Sequence, residues 1–137
     1  MSLSEGIINL IRDEQIRQGG RFIPEGQEYL QKLIDKAELV SHGSSSKCLG
    51  FVFFYCNDPE KKSSYITLLM VSPDSRRMGI GASLVKYVLE QTQQRGFKVC
   101  CLEVKKDNGG AIKLYQSVGF CEIEDRGDRY LMQAAVS

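Results

Sequence analysis

Val71-Ser72-Pro73-Asp74-Ser75-Arg76-Arg77-Met78-Gly79-Ile80-Gly81-Ala82 joins two runs of different periodicity. Upstream, residues 65–71 (Tyr-Ile-Thr-Leu-Leu-Met-Val) read as a strand that Pro73 stops. Downstream, Leu84, Val85, Val88 and Leu89 share one face of a helix over 80–95, with Gly96 as its C-terminal stop. The segment is therefore strand, loop, helix. In that setting the spacing Arg76-x-x-Gly79-x-Gly81 has a use. Glycines place no side chain between backbone and ligand and permit unusual dihedrals. The first turn of the helix exposes unpaired N–H groups and the positive end of its dipole, where a phosphate settles. Arg76 and Arg77 add charge to clamp it. The competing reading gives the glycines only a tight turn and close packing. The spacing differs from a P-loop and no Gly-Lys-Ser/Thr follows, which disfavours a nucleotide triphosphatase.

Working outward, residues 98–104 read as the next strand. Asn108 can cap a short helix carrying Ala111, Ile112, Leu114, Tyr115 and Val118, closed by Gly119. Residues 120–123 and 129–133 suggest a final hairpin around Gly127. Towards the N-terminus, Cys48-Leu-Gly-Phe-Val-Phe-Phe-Tyr55 is aromatic and β-branched, a buried strand. Residues 38–42 suggest a short strand and 43–46 a turn. Two helices are expected before them. One covers 5–18, with Ile7, Ile8 and Ile11 on one side and Gly19-Gly20 at its end. The other covers 27–37, with Tyr29, Leu30, Leu33, Ile34 and Ala37 as a stripe. The pattern is one α/β domain without repeats.

Composition narrows the function classes. The 137 residues fit one domain, and 42% hydrophobic content supports a core without disulfides. With 18 basic and 17 acidic side chains the net charge is +1, which argues against a dedicated nucleic-acid binder. The longest apolar runs, 49–56 and 66–71, fall far below membrane-spanning length, so no membrane partner is expected. No signal peptide is read. The five cysteines, at 48, 56, 100, 101 and 121, form no C-x-x-C pair, and His42 is the single histidine, so no metal is expected. The odd cysteine count and the strand-like setting of Cys100 and Cys101 fit reduced, buried thiols in the cytoplasm. His42 beside a Gly-Ser turn reads as a surface residue, and the pairs Lys61-Lys62 and Lys105-Lys106 as solvated edges.

The chain resembles the GNAT superfamily of acyl-CoA-dependent N-acetyltransferases. The resemblance rests on Leu69-Met70-Val71-Ser72-Pro73 followed by Arg76 to Gly81. A second signature supports it: Leu102-Glu103-Val104, then Asn108, Ala111-Ile112, Leu114-Tyr115 and Gly119-Phe120. It covers roughly residues 65 to 121. It implies an α/β (α+β) fold with a central mixed, mostly antiparallel sheet, splayed at a CoA-binding cleft and flanked by about four helices. It also implies acetyl-CoA as cosubstrate, its pantetheine arm on the backbone of Leu69, Met70 and Val71. The N–H groups of Arg77, Met78, Gly79, Ile80, Gly81 and Ala82 would hold its diphosphate beside Arg76, with Asn108 and Ala111 on the other side. The family usually opens with a strand before its first helix, whereas here residues 3–12 already look helical. Either that strand is absent or a few residues form it. Dimerisation is common in the family, although no pattern here encodes a homodimer.

The reaction implied is direct attack of a neutral amine on the thioester carbonyl. A lysine-like ammonium has a pKa of about 10.4, so its neutral form is disfavoured at pH 7 by roughly 4.6 kcal/mol. A base or a desolvating pocket must meet that cost, and the leaving thiolate needs a proton. Tyr115 sits where the family places its acid; the bland alternative is a core aromatic beside Leu114 and Val118. Many members carry a glutamate where alignment on Leu69-x-Val71 puts Thr67, which cannot act as a base. Glu103 is the substitute, in a setting similar to that of ribosomal-protein N-terminal acetyltransferases, where that glutamate is assigned as base; otherwise it is a solvated or salt-bridged carboxylate. Water relayed through carbonyls is a third option. The N–H near Met70 or Val71 would stabilise the oxyanion. Cys100 and Cys101 lack a histidine partner and read as packing residues.

The acceptor follows from weaker signals. The shortness of 122–129 favours a small-molecule amine, amino sugar or antibiotic over a peptide amine. Three rival functions are an N-acetyltransferase, a non-catalytic CoA-binding sensor or scaffold motivated by Thr67, and an RNA-binding protein using the arginine pair.

Overall fold

The computed structural model describes residues 3–24, 28–44 and 46–136. Helix α1 (Glu5–Arg17) starts at Ser4, whose hydroxyl accepts from the Ile7 N–H. It is followed by α2 (Glu28–Lys36), β1 (Glu38–Gly43), β2 (Cys48–Tyr55) and β3 (Ser64–Val71). A 3-10 turn (Pro73–Ser75) leads to α3 (Ile80–Gln94), β4 (Val99–Lys105), α4 (Gly109–Ser117), β5 (Cys121–Asp125) and β6 (Arg129–Ala135). Each expected element is present within a few residues. Gln27 and Ser45, part of the expected second helix and first turn, lie outside the described residues. Among the described residues no strand precedes α1, so the family's opening strand is not formed there.

The six strands form one mixed sheet in the order β1-β2-β3-β4-β6-β5. Only β3 and β4 run parallel, because α3 makes the crossover between them. Central β2 is buried on both faces: Val52 and Phe54 join the cluster with α3 and α4, and Phe51 and Phe53 join the cluster with α1 and α2. Helices therefore cover both faces of the sheet. At the far end of α3, Arg95 forms an ion pair with Glu38 and also donates to the Cys56 carbonyl, tying that helix to β1. A hydroxyl chain seals the interior, with Thr92 donating to the Val88 carbonyl (2.7 Å) beside Ser64.

One irregularity sets up the site. Leu68 pairs with Phe53 while Ile66 pairs with Phe54, which leaves Thr67 as an extra, bulged residue in β3. A bulge bends its strand and raises its twist. It also shifts side-chain alternation by one. Ile66, Leu69 and Val71 all meet the α3 cluster, whereas Leu68 and Met70 meet the α1 cluster. Beside this bulge, β3 and β4 stop pairing. Their ladder consists of Ser64 with Cys100, Tyr65 with Cys101 and Ile66 with Leu102. From there β3 continues against β2 to Val71, and β4 continues against β6 to Lys105. The sheet splays between them.

Cysteine burial is uneven. Cys48, Cys56 and Cys100 are buried, Cys101 is half-buried, and Cys121 on edge strand β5 is exposed; all five are free thiols. Burial pushes the Cys100 thiol up to about 12, leaving it an inert packing group. His42 is exposed on β1. Lys62 pairs with Glu60 (2.6 Å), and Lys106 pairs with Asp125 (2.6 Å) while lying over the Tyr130 ring.

Candidate active site

The loop after β3 is built to present main chain. Arg76 is extended, Arg77 takes a left-handed φ of 71°, and Gly79 takes a φ of 78° as the N-terminal cap of α3. A non-glycine residue in that region carries strain, a feature that concentrates at functional loops. Gly79 has no side chain to cap the helix. The first helical bond runs from the Ser83 N–H to the Gly79 carbonyl (3.0 Å), so the N–H groups of Ile80, Gly81 and Ala82 have no helical partner. Gly81 serves packing: a Cβ there would stand 3.1 Å from Leu114 of α4. The two glycines thus have separate tasks, one a turn and one a close approach. Met78 is exposed at the tip.

The arginines divide as well. Arg76 turns its guanidinium towards α1, where it lies 3.8 Å from Glu14. Glu14 is a buried carboxylate; burial raises its pKa, but hydrogen bonds from Gln18 (2.6 Å) and Arg17 outweigh that and hold it below the usual range. Arg77 makes no ion pair among the described residues.

A cavity of about 330 Å³ opens where β3 and β4 part. Ile66, Thr67, Leu68 and Leu69 line its β3 side, and Leu102 to Lys105 its β4 side. Asn108, Ala111 and Tyr115 close it from α4. The Asn108 side-chain oxygen caps α4 by accepting from the Ala111 N–H (3.2 Å), which leaves its amide N–H groups to donate. Of the expected cofactor residues, Leu69, Asn108 and Ala111 reach this cavity. Met70 is buried against α1, and Val71 continues the β3 edge towards the glycine loop.

Both expected catalytic side chains reach the same cavity. Tyr115 is 7% exposed, and its ring packs edge-on against Phe120 at 5.8 Å. Burial pushes its phenol up to about 12, so it keeps its proton throughout the physiological range. It is both a packing aromatic and a candidate donor. Glu103 lies on the opposite face of β4 from buried Leu102 and Val104. One of its oxygens accepts from the Tyr65 hydroxyl (3.3 Å), and the other accepts from Arg126 (3.3 Å). Burial and the neighbouring Glu103 charge push Tyr65 up to about 12, which keeps it a donor. Glu103 is therefore a salt-bridged carboxylate that also lines the cleft.

The structure adds residues that the sequence did not single out. Gln18, Phe22 and Pro24 from the α1–α2 connection, Tyr29 from α2, Tyr65 from β3 and Arg129 from β6 complete the wall. Gln15 pins that connection: its side chain accepts from the Phe22 and Ile23 N–H groups and donates to the Ile23 carbonyl (3.0 Å). The Tyr29 hydroxyl lies 3.4 Å from Thr67 Oγ1. The Tyr29–Thr67 and Tyr65–Glu103 contacts each cross 38 residues, so no local motif announces them. Among the described residues no group of three or more His, Cys, Asp or Glu could hold a metal ion. No described helix is long and apolar enough to cross a membrane.

Comparison with known proteins meets this geometry. The sequence model of the acetyltransferase (GNAT) family matches residues 8–120. The ribosomal protein bS18-alanine N-acetyltransferase of Escherichia coli is 37% identical over 62 residues, 45% of this chain and 42% of that protein. An uncharacterized N-acetyltransferase of Methanocaldococcus jannaschii is 37% identical over 84 residues, 58% of this chain and 37% of the relative. These matches span about two fifths of the length of the curated relatives. Among solved structures, Ard1 from Thermoplasma volcanium superposes with a TM-score of 0.73 at 22% identity, covering 88% of this chain and 86% of the other. The Escherichia coli ribosomal-protein-S18-alanine N-acetyltransferase gives 0.72 at 22% identity, covering 98% and 92%. Those likenesses show a shared fold. With the family match running from α1 to the end of α4, the chain belongs to the acetyltransferase (GNAT) family.

Proposed function

We propose that the chain works as one N-acetyltransferase domain that takes acetyl-CoA and transfers the acetyl group by direct attack to a primary amine. The observation that carries this reading is the junction of two open main-chain surfaces. The β3 edge left unpaired by β4 beyond Ile66 leads, through the Pro73–Ser75 turn and the glycine loop, to a helix start whose cap has no side chain. An extended arm ending in a diphosphate matches that sequence of surfaces. The N–H groups of Arg77 to Ala82 would hold the diphosphate, and the backbone of Leu69 to Val71 the arm. The Asn108 amide and Ala111 would close the cofactor from α4. Solved neighbours that carry coenzyme A or acetyl-CoA share the fold and support this choice of cosubstrate.

In the reaction, the amine gives a proton to Glu103, either directly or through water, and attacks the thioester carbonyl. The carbon–sulfur bond breaks, and Tyr115 protonates the departing sulfur. A main-chain N–H near Met70 or Val71 stabilises the oxyanion. Thr67 supplies no base, yet Glu103 and Tyr115 line one cavity, which favours catalysis over a silent CoA-binding module. The acceptor enters past Phe22, Pro24, Tyr29 and Tyr65. The hairpin between β5 and β6 is only Arg126 to Asp128, which suits a small amine; the bS18-alanine relatives make a peptide amine the second choice. We infer a cytoplasmic setting from the five unpaired thiols.

The test is titration calorimetry with coenzyme A, followed by thiol release from acetyl-CoA across a panel of amines with wild type and Tyr115→Phe. Binding with turnover that Tyr115→Phe abolishes supports the reading. Binding without turnover would make it a sensor module, and no heat at all would overturn the cofactor assignment.

A further inference from the structure

A general base in a water-accessible cleft poses a hazard that the proposed reaction does not address. With acetyl-CoA bound, the same carboxylate that deprotonates an amine can deprotonate water, and the thioester is hydrolysed to acetate and CoA. The contacts around Glu103 show how this chain limits that loss. One carboxylate oxygen is fixed by Tyr65, a neutral donor from the neighbouring strand (3.3 Å). The other is taken by a cation, Arg126, in the β5–β6 turn (3.3 Å). That ion pair is half-open to solvent, with side-chain exposures of 41% for Arg126 and 29% for Glu103. Arg126 also has a second partner: its other terminal nitrogen bonds Glu124 at 3.2 Å.

We propose that Arg126 is a displaceable gate on Glu103, closed against water and opened by acceptors that arrive as ammonium ions. This rests on the reading of Glu103 as the base. The asymmetry of the two carboxylate oxygens is the reason. Pulling Arg126 away with nothing in its place gives up the ion pair, a modest loss at this exposure. Water brings no charge and cannot make that exchange. A protonated aliphatic amine can, since one cation replaces another and Arg126 keeps Glu124 as its partner. The incoming ammonium passes one proton to Glu103 and attacks as the neutral amine. The carbon–sulfur bond breaks as Tyr115 protonates the sulfur, the nitrogen's second proton returns through water to Tyr115, and Glu103 releases its own to solvent. Tyr65 holds the carboxylate plane in place throughout. Arg126 is thus a positioning and specificity residue for the transfer reaction. It favours amines that are charged at neutral pH over weakly basic, neutral ones.

The test of the gate itself needs no identified acceptor. Hydrolysis of saturating acetyl-CoA is followed as thiol release, with coenzyme A affinity measured by calorimetry on the same samples. Arg126→Gln should raise hydrolysis about two- to fivefold, the range of an exposed ion pair, with coenzyme A affinity unchanged. Raising the salt concentration should accelerate hydrolysis by wild type and leave Arg126→Gln flat, because salt screens the pair that the variant lacks. A merely structural role for Arg126 would not produce that difference. Glu103→Gln combined with Arg126→Gln should cancel the gain, and Glu124→Gln, which removes the fallback partner, should lower hydrolysis below wild type. Unchanged or slower hydrolysis in Arg126→Gln, with cofactor binding intact, overturns the gate. If Arg126→Gln gains activity and the double variant keeps the gain, the cation acts on something other than Glu103 and the gate is again overturned. The underlying base reading fails separately, if Glu103→Gln alone leaves amine transfer at the wild-type rate.

Discussion

The two sides of the cleft are made in opposite ways. The side facing the glycine loop is main chain from one continuous segment: the β3 edge, Arg77 in a left-handed conformation, Gly79, and the open first turn of α3. The side facing α1 and α2 is made of side chains from the α1–α2 connection and from α2, β3, β4 and β6, and their contacts span tens of residues. A cofactor common to many enzymes can be held by amides, whose positions depend on backbone dihedrals and tolerate many side chains. An acceptor that differs between enzymes has to be met by side chains, which substitution can change without refolding the sheet.

That contrast can be broken experimentally. The largest effect should come from Gly81→Asp. It places a carboxylate among the amides proposed for the diphosphate and pushes on Leu114, and calorimetry should then detect no coenzyme A binding. Retained binding would mean that the glycine loop is a turn and nothing more. On the opposite wall, Tyr115→Phe should lower kcat by about 10²–10⁴-fold, the range for a positioned proton donor, at unchanged coenzyme A affinity. The pH profile sharpens this point. Because burial raises Tyr115 to about 12, the donor stays protonated and turnover should show no basic limb from it below pH 11. The stability linked to its buried neutral form is complete below pH 10 and is lost as pH climbs through about 12, so alkaline unfolding should ease for Tyr115→Phe. Glu103→Gln should cost about 100-fold in kcat, the low end for a base, since Arg126 already occupies one oxygen. Thr67→Val, which removes a 3.4 Å contact with Tyr29, should change turnover by only about twofold, the low end for a neutral hydrogen bond. A collapse of activity in that last variant would give the Thr67 hydroxyl a direct part in holding the acceptor or a water.

The same division explains what could be read before folding. Strand Cys48–Tyr55 follows from its aromatic and β-branched composition, helix Ile80–Gln94 from apolar periodicity, and the glycine loop from its spacing between strand Ser64–Val71 and that helix, because the signal and the structure are both local. Tyr115 and Glu103 were legible through resemblance and do share a cavity. Three things were hidden. Simple alternation would put Tyr65, Thr67, Leu69 and Val71 on one face; the bulge at Thr67 sends Leu69 and Val71 to the other, and nothing in the composition of β3 marks it. Arg126 looked like a turn residue, since its partner lies 23 positions away. Arg76, expected beside the diphosphate, lies 3.8 Å from Glu14 of α1, a neighbour that no local spacing announces.

The side-chain-free cap of α3 has an evolutionary consequence. Glycine at a helix start gives up only a few tenths of a kcal/mol to Ser or Asn, and at a φ of 78° any L side chain carries backbone strain, so position 79 offers no cheap route to a sturdier fold. A side chain there would also stand beside the amides proposed to meet an anion. A library of this chain screened for heat resistance alone should therefore retain Gly79, so that selection for stability and selection for coenzyme A binding hold the same residue.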